Sequence, residues 1–375
     1  MERFSKNDII ALLDDDPRFN LGESTSRDLM LGELLDADVI DRLGRIRLGY
    51  GTSLGHHELR KHIAGVLAVP PESVVITVGG ASALFMITFV LCEPGDEIVV
   101  TTPSFPPTIE VMRAVGTSIR PIRLGFASGY RPRLEDFETA LTPRTKLVSL
   151  ATPQNPSGVA IPEKVCEGVL QIMSNICPDA FLLVDESYRE AVYGEGRVPS
   201  STANLSARVI TTASLSKCHG APGLRIGWLT CHDSKLVEQL VLAKMNTVIS
   251  CSVVDEFLAL EVLRRGSEIF HARREGLQEA VRKVENWVES ERDLIAWVRP
   301  DGGAMCCVRL RPEVFSDAVT KRFYKELRLR DALVANGSWF GDEERVFRLG
   351  FGFLPPAELG EALTATSEAL RVSLN

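Results

Sequence analysis

A lysine between two apolar segments is the residue with the clearest potential for covalent chemistry. Lys217 follows a β-like run at residues 209–211 and the hydroxyl residues Ser214 and Ser216, and a loop rich in glycine and proline comes after it. Because ligands gather at the carboxyl ends of strands in open α/β sheets, this spacing predicts a lysine in a cleft. Desolvation there would favour the neutral amine, which forms Schiff bases with aldehydes. Taken alone, the residue would more often be an ordinary solvated lysine.

An aspartate at the end of a second apolar segment supplies a complementary charge. Asp185 directly follows the Phe-Leu-Leu-Val run at residues 181–184. A carboxylate at the end of a buried strand needs a cationic partner, and the protonated pyridine nitrogen of pyridoxal phosphate (PLP) is such a partner. Capping of a following helix explains Asp185 equally well when it is considered by itself.

Two further segments complete a candidate PLP site. Asn155 lies in an Asn-Pro loop after a β-like run, where its amide could donate to the ring oxygen, although an ordinary turn also explains this pair. Gly79 and Gly80 lead from a β-like run into an apolar helix, an arrangement that directs free backbone N–H groups at an anion. Ser214 and Arg225 could add a hydroxyl and a bidentate cation to a phosphate site.

The elements that must position these residues alternate along the chain. Short β-rich runs and amphipathic helical stretches follow one another over residues 60–230, which is typical of a mostly parallel sheet covered by helices. After a long helical stretch at 233–289, the remaining chain mixes strands with helices. The sequence therefore predicts an α/β protein with a large PLP-binding domain at residues 31–245 and a smaller α+β domain at 246–375. Residues 1–30 would form an N-terminal arm packing on the small domain.

Composition excludes several other classes of protein. The chain has 375 residues, of which 45% are hydrophobic and 25% charged, as in ordinary globular proteins. A net charge of −8 argues against a nucleic-acid partner, and neither a membrane span nor a secretory signal is recognisable. The eight cysteines form no C-x-x-C pair, which favours reduced core thiols without a metal site. We expect a cytoplasmic protein whose partners include no nucleic acid and no membrane.

The motifs, in this order, resemble those of the class I/II aminotransferases, which are PLP enzymes of fold type I with the aspartate aminotransferase fold. The most specific element is Ser214-x-Ser216-Lys217 with Arg225 eight residues further on. The resemblance implies that pyridoxal 5'-phosphate is the cofactor and that Lys217 forms the internal aldimine and later moves a proton between substrate and cofactor. It also implies that Asp185 pairs with the pyridine nitrogen.

The same resemblance assigns the remaining contacts. The residues implied to bind the cofactor are Tyr50, Gly80, Ala81, Phe105, Asn155, Asp185, Tyr188, Ser214, Ser216, Lys217 and Arg225. Arg348 would bind the substrate α-carboxylate, with Gly22 and Asn155 lining the same part of the site. Tyr50 would reach the phosphate of the partner subunit, which implies a homodimer with shared active sites. His219 is expected to be a solvated loop residue without a role.

Three functions are compatible with this site. The first is an aminotransferase that moves the amino group of an L-amino acid to a 2-oxo acid. The second is a PLP-dependent lyase or cyclase acting on a specialised amino acid in natural-product biosynthesis, because the segment 214–228 and the Pro-Gln-Asn-Pro-Ser-Gly loop look somewhat like those of capreomycidine synthase. The third, a non-catalytic PLP-binding sensor fused to a transcription regulator, is disfavoured because only about 30 residues precede the predicted module. No arginine is recognisable as the partner of a substrate side-chain carboxylate.

Overall fold

Strands and helices alternate along the chain in the order that the apolar pattern predicts. The computed structural model describes residues 3–375. Its strands are β1 (Phe19–Asn20), β2 (Val74–Val78), β3 (Glu97–Thr102), β4 (Ser118–Arg123), β5 (Thr145–Ala151), β6 (Phe181–Asp185), β7 (Val209–Ser214), β8 (Ile226–Cys231), β9 (Ile295–Val298), β10 (Met305–Leu310), β11 (Ala332–Leu333), β12 (Ala335–Asn336) and β13 (Val346–Gly350). Its helices are α1 (Ala11–Asp14), α2 (Ala37–Gly44), α3 (His57–Leu67), α4 (Gly79–Leu91), α5 (Pro106–Val115), α6 (Leu134–Ala140), α7 (Glu163–Ile176), α8 (Ser234–Met245), α9 (Val253–Arg264), α10 (Gly266–Ser290), α11 (Asp317–Leu329) and α12 (Pro356–Val372).

A seven-stranded sheet forms the centre of the large domain. The strand order is β2-β8-β7-β6-β5-β3-β4, and β8 alone runs antiparallel to its neighbours. The central strands β5, β6 and β7 are buried along most of their length because helices cover both faces of the sheet. The carboxyl ends of β2, β5, β6 and β7 therefore meet at one edge, where ligands bind in sheets of this kind.

A four-stranded antiparallel sheet forms the centre of the small domain. Its order is β12-β13-β10-β9, and its apolar face packs with α10, α11 and α12 in one core that includes Trp287, Phe323 and Phe347. The short strand β1 pairs in parallel with β11, which attaches the N-terminal arm to this domain. The two residues at the start of the arm lie outside the described part of the chain.

The helix α9 connects the two domains. Ala259 and Leu260 of this helix share a core with Val74 and Ile76 of β2, so α9 packs on the large sheet. The 25-residue helix α10 follows it and enters the core of the small domain. The boundary at residue 245 stays a prediction, and the packing of α9 favours a boundary near Gly266.

The eight cysteines are buried and form no disulfide. Within residues 3–375, no group of His, Cys, Asp and Glu side chains is arranged to hold a metal ion. Over the same residues, no helix combines the length and the apolar character that crossing a bilayer requires.

Candidate active site

A cavity of about 970 Å³ lies at the carboxyl edge of the large sheet. Most of the residues predicted from the sequence lie on its wall, although they come from separate parts of the chain. These residues are Gly80, Ala81, Phe105, Asn155, Asp185, Tyr188, Ser214, Ser216, Lys217 and Arg225. The sheet topology explains this convergence, because Asn155, Asp185 and Ser214 follow or end adjacent parallel strands.

Lys217 reaches the cavity from the loop that follows β7. Its Nζ lies 3.2 Å from Oγ of Ser24 and 3.4 Å from Oε1 of Glu23, both in the N-terminal arm. The arm also holds the backbone of this loop, since the Ser26 N–H donates to the Lys217 carbonyl. Nζ of Lys217 is therefore positioned by two elements that are distant in sequence.

Asp185 ends β6 with its carboxylate facing the cavity. Its Oδ1 accepts hydrogen bonds from the N–H (3.0 Å) and from Oγ (2.6 Å) of Ser187. Burial raises the pKa of Asp185 even though these bonds act in the opposite direction. A cationic group placed beside this carboxylate would relieve the cost of burying its charge.

The N-terminus of α4 lies beside Arg225 in an arrangement suited to an anion. No side chain caps this end of the helix, so the first backbone N–H groups, including those of Gly80 and Ala81, have no side-chain acceptor. Gly79 has φ +69°, and a Cβ there would lie 2.5 Å from a guanidinium nitrogen of Arg225. Glycine thus allows the cation to lie against the helix terminus, and the two together provide donors and positive charge for a phosphate.

Arg348 lies behind Asn155 rather than on the cavity wall. The guanidinium donates 2.8 Å to Oδ1 of Asn155 and 2.5 Å to the Gly22 carbonyl, and the Asn155 amide in turn donates 3.3 Å to the Tyr188 hydroxyl. The residue is 2% exposed, and its Nε has no hydrogen-bond partner among residues 3–375. Both hydrogen-bond acceptors are uncharged, so this buried cation is suited to an additional anionic ligand such as a carboxylate.

Comparison with known proteins identifies the family. The model of the family "Aminotransferase class I and II" matches residues 17–365. This chain belongs to that family. PLP is therefore its cofactor, and the protein is a PLP-dependent transferase.

Individual relatives of this aminotransferase-family protein differ in the reactions their names describe. Capreomycidine synthase of Streptomyces vinaceus is 32% identical over 85% of this chain and 80% of that protein. An arginine–pyruvate transaminase of Pseudomonas aeruginosa is 28% identical over 76% of this chain and 74% of that protein. A solved PLP-dependent aminotransferase from Streptococcus suis has the same fold, with a TM-score of 0.90 at 24% identity over 99% of both chains.

The residues on the cavity wall fit the cofactor of this aminotransferase family. The α4 terminus and Arg225 would hold the phosphate, Asp185 would face the pyridine nitrogen, and Lys217 would reach the aldehyde. Phe105 supplies an apolar ring face on the same wall. These groups therefore match the phosphate, the pyridine nitrogen and the aldehyde of PLP.

Sequence reasoning missed Glu23 and Ser24, which both contact Lys217. The Ser24 hydroxyl also lies 3.0 Å from the Tyr188 hydroxyl, so it connects Lys217 with the Asn155–Tyr188 pair. Both residues directly follow Gly22, which the sequence assigns to the site, and this position could have indicated them.

Tyr50 does not reach the cavity of its own chain. Its side chain is 86% exposed, in the segment that precedes α3. Its assignment to the phosphate site of a partner subunit stays a prediction.

We expect Arg348→Lys to raise the half-saturating concentration of an amino-acid substrate about 10- to 100-fold, the usual effect of losing charged hydrogen bonds. Lysine keeps the charge but lacks the planar donor pair that binds a carboxylate. Titration of the PLP-loaded protein with substrate, followed by absorbance, measures the change. Arg299→Lys, on a half-exposed side chain, is the matched control, and an unchanged half-saturation in Arg348→Lys would contradict the assignment.

His219 is buried, so the expectation of a solvated loop residue is wrong. Only 2% of it is exposed, and its ring lies 4.8 Å from that of Phe270 in α10. Burial, with nearby Arg273 and Arg189 acting in the same direction, lowers the pKa of His219 from 6.5 to about 4. Packing of α10 against the Lys217 loop explains the burial.

The lowered pKa of His219 predicts a loss of stability in acid. Below pH 6.5 the histidine of the unfolded chain is protonated, whereas His219 in the folded chain becomes protonated only at about pH 4. The free energy of unfolding should therefore fall by up to about 1.4 kcal/mol per pH unit through this window from this residue alone. The free energy of unfolding is measured by urea unfolding at several pH values. It should fall less steeply with decreasing pH in His219→Asn than in His271→Asn, in which an exposed histidine is replaced. Equal slopes would contradict the prediction.

Proposed function

We propose that the protein is an aminotransferase that moves the amino group of an L-amino acid to a 2-oxo acid. The supporting observation is the convergence of Lys217, Asp185 and Arg225 in one cavity, with the buried cation of Arg348 adjoining it through Asn155. PLP supplies an aldehyde that captures amines and a ring that stabilises negative charge at the substrate α-carbon. The protein supplies orientation, proton transfer and electrostatics.

Each residue has a separate task in this proposal. Arg348 and Asn155 bind the α-carboxylate and fix the orientation of the amino acid. Lys217 holds the cofactor and then accepts and returns the α-proton at Nζ, where Ser24 provides a hydrogen-bond partner. Asp185 stabilises positive charge on the ring nitrogen.

The experiment that tests transamination measures products in the presence and absence of a 2-oxo acid. A panel of L-amino acids is first screened for changes in the absorbance of the bound PLP. Each responding amino acid is then incubated with excess 2-oxo acid, and both products are determined by mass spectrometry. Formation of the new amino acid in equal amount to the amino acid consumed supports the proposal. Sustained turnover without any acceptor would contradict it.

A second candidate is a PLP-dependent cyclase or lyase. It is favoured by the 32% identity to capreomycidine synthase, which extends over 85% of this chain. Elimination and cyclisation leave the amino nitrogen in the product or release it, and they consume no acceptor. The same incubations therefore separate the two candidates, and a product of reduced mass formed without a 2-oxo acid would favour the second.

We also propose that the protein forms a homodimer with shared active sites. Apolar side chains are exposed in two segments, Leu48 with Tyr50 and Met245 with Ile249. The segments adjoin, because a Cβ on Gly51 would lie 3.4 Å from Cγ1 of Val253 and 3.7 Å from the carbonyl oxygen of Cys251. Such a patch is typical of an interface. Sedimentation equilibrium would show a dimer, and a monomer at all concentrations would contradict the proposal.

A further inference from the structure

The outer wall of the active-site cavity carries more acidic than basic side chains. Besides Asp185, its carboxylates are those of Asp14, Asp15, Asp16, Glu23, Asp28 and Glu358, whereas its guanidinium groups besides Arg225 are those of Arg18 and Arg27. Arg18 is paired with Glu361 at 2.6 Å and Asp15 with Arg328 at 2.7 Å, so one side chain of each sign has a partner outside the wall and the acidic excess remains. The field at the mouth therefore attracts cations and opposes the entry of a substrate with a second carboxylate.

Glu23 is less exposed than the other five carboxylates named with it, all of which are exposed. Its side chain is 18% exposed, and its Oε1 accepts a hydrogen bond from the Ser24 N–H at 2.7 Å and one from Lys217 Nζ at 3.4 Å. Within residues 3–375, both hydrogen bonds of the Glu23 carboxylate go to Oε1, which leaves Oε2 available to a ligand. Burial would raise the pKa of Glu23, but the charges of Lys217 and Arg348 outweigh it and hold the pKa below its usual value.

The distance from the reacting centre suits the end of a long side chain. To exchange the α-proton, Lys217 Nζ must lie about 3–3.5 Å from the substrate α-carbon. Because Oε1 of Glu23 is 3.4 Å from Nζ, the carboxylate lies within about 7 Å of that carbon. The terminal nitrogens of arginine and lysine side chains can reach this position.

We infer that Glu23 determines substrate specificity by pairing with a cationic group at the end of the amino-acid side chain. The substrate class is thus L-amino acids with a guanidinium or ammonium group on a long side chain. This inference rests on the proposed function, because it concerns the amino acid that Lys217 and Arg348 bind. The acidic rim concentrates such substrates at the entrance, and Glu23 binds them inside.

The test compares amino acids that differ in charge but hardly in shape. The PLP-loaded protein is titrated with L-arginine and with L-citrulline, and separately with L-lysine and with L-2-aminoheptanoate, in which a methyl group replaces the ammonium group. Half-saturation is read from the absorbance of the bound PLP. We expect the wild-type protein to bind the charged member of each pair about tenfold or more tightly, as for a hydrogen-bonded charge pair. In Glu23→Gln this ratio should fall towards one, and any uniform effect of the substitution cancels in the ratio.

Two further variants keep the result interpretable. Glu23→Asp retains the charge and should restore part of the preference, which a purely structural role of Glu23 would not produce. Glu313→Gln removes one exposed carboxylate outside the cavity wall and should keep the wild-type ratio. Thermal unfolding of each PLP-loaded variant verifies that it is folded.

The outcomes are distinct. A wild-type ratio near one for both pairs would overturn the inference, and so would a preference that persists unchanged in Glu23→Gln. If no amino acid alters the absorbance of the bound PLP, the proposed function itself fails, which is a different result from equal binding of charged and neutral amino acids.

Discussion

Replacing Lys217 with alanine should lower turnover of any amino-acid substrate by about 10⁴-fold or more, because one residue supplies both the covalent attachment and the proton transfer. Among residues 3–375, Lys217 is the only lysine on the cavity wall, so no second lysine there replaces its amine. Single-turnover rates of the PLP-loaded variant and of the wild-type protein measure the effect. Binding of PLP should persist, since the α4 terminus, Arg225 and Asp185 remain.

Lys235→Ala is the matched control for this prediction. Lys235 is exposed in the first turn of α8, outside the cavity wall, and its replacement should leave the rate unchanged. Loss of a proton-transfer group usually lowers a rate at least about 100-fold. A Lys217→Ala protein that retains more than about a hundredth of the wild-type rate would therefore contradict the proposed role.

Asp185→Asn should lower the turnover rate by about 10²- to 10³-fold, the usual effect of removing one preorganised electrostatic group. Asparagine has nearly the same shape and can still accept a hydrogen bond from Ser187. It has no negative charge, so it cannot hold a proton on the ring nitrogen. Turnover rates at saturating amino acid, together with the affinity for PLP measured by fluorescence, would test this role.

The control for Asp185 removes a charge near the other end of the same strand. Asp179 is exposed shortly before β6 begins, and Asp179→Asn should change neither the rate nor the affinity for PLP. If Asp185→Asn behaves like Asp179→Asn, the carboxylate does not face the ring nitrogen and this part of the account is wrong.

The main elements of the large domain, and ten of the residues that line the cavity, could be predicted from the sequence. The strands β2 and β5 to β8 each contain a short apolar run, a local property that indicates burial. Once β5, β6 and β7 are placed side by side in parallel, Asn155, Asp185 and Ser214 meet at one edge, as they do in the structure. The position of Lys217, three residues after β7, follows from the same topology.

The contribution of the N-terminal arm could not be predicted in this way. The strand β1 has two residues and no recognisable periodicity, and its position depends on pairing with β11, more than 300 residues later in the chain. That pairing brings Glu23 and Ser24 to Lys217. Similarly, His219 is polar and lies in a loop, yet α10 covers it through Phe270, a contact that no local pattern encodes.

The most direct test of the account identifies the residue to which the cofactor is attached. The PLP-loaded protein is reduced with borohydride, digested with a protease and analysed by mass spectrometry for the peptide that carries the reduced pyridoxyl group. We expect a single modified side chain, that of Lys217. A pyridoxyl group on any other lysine, or a protein that remains unmodified after loading and reduction, would contradict it.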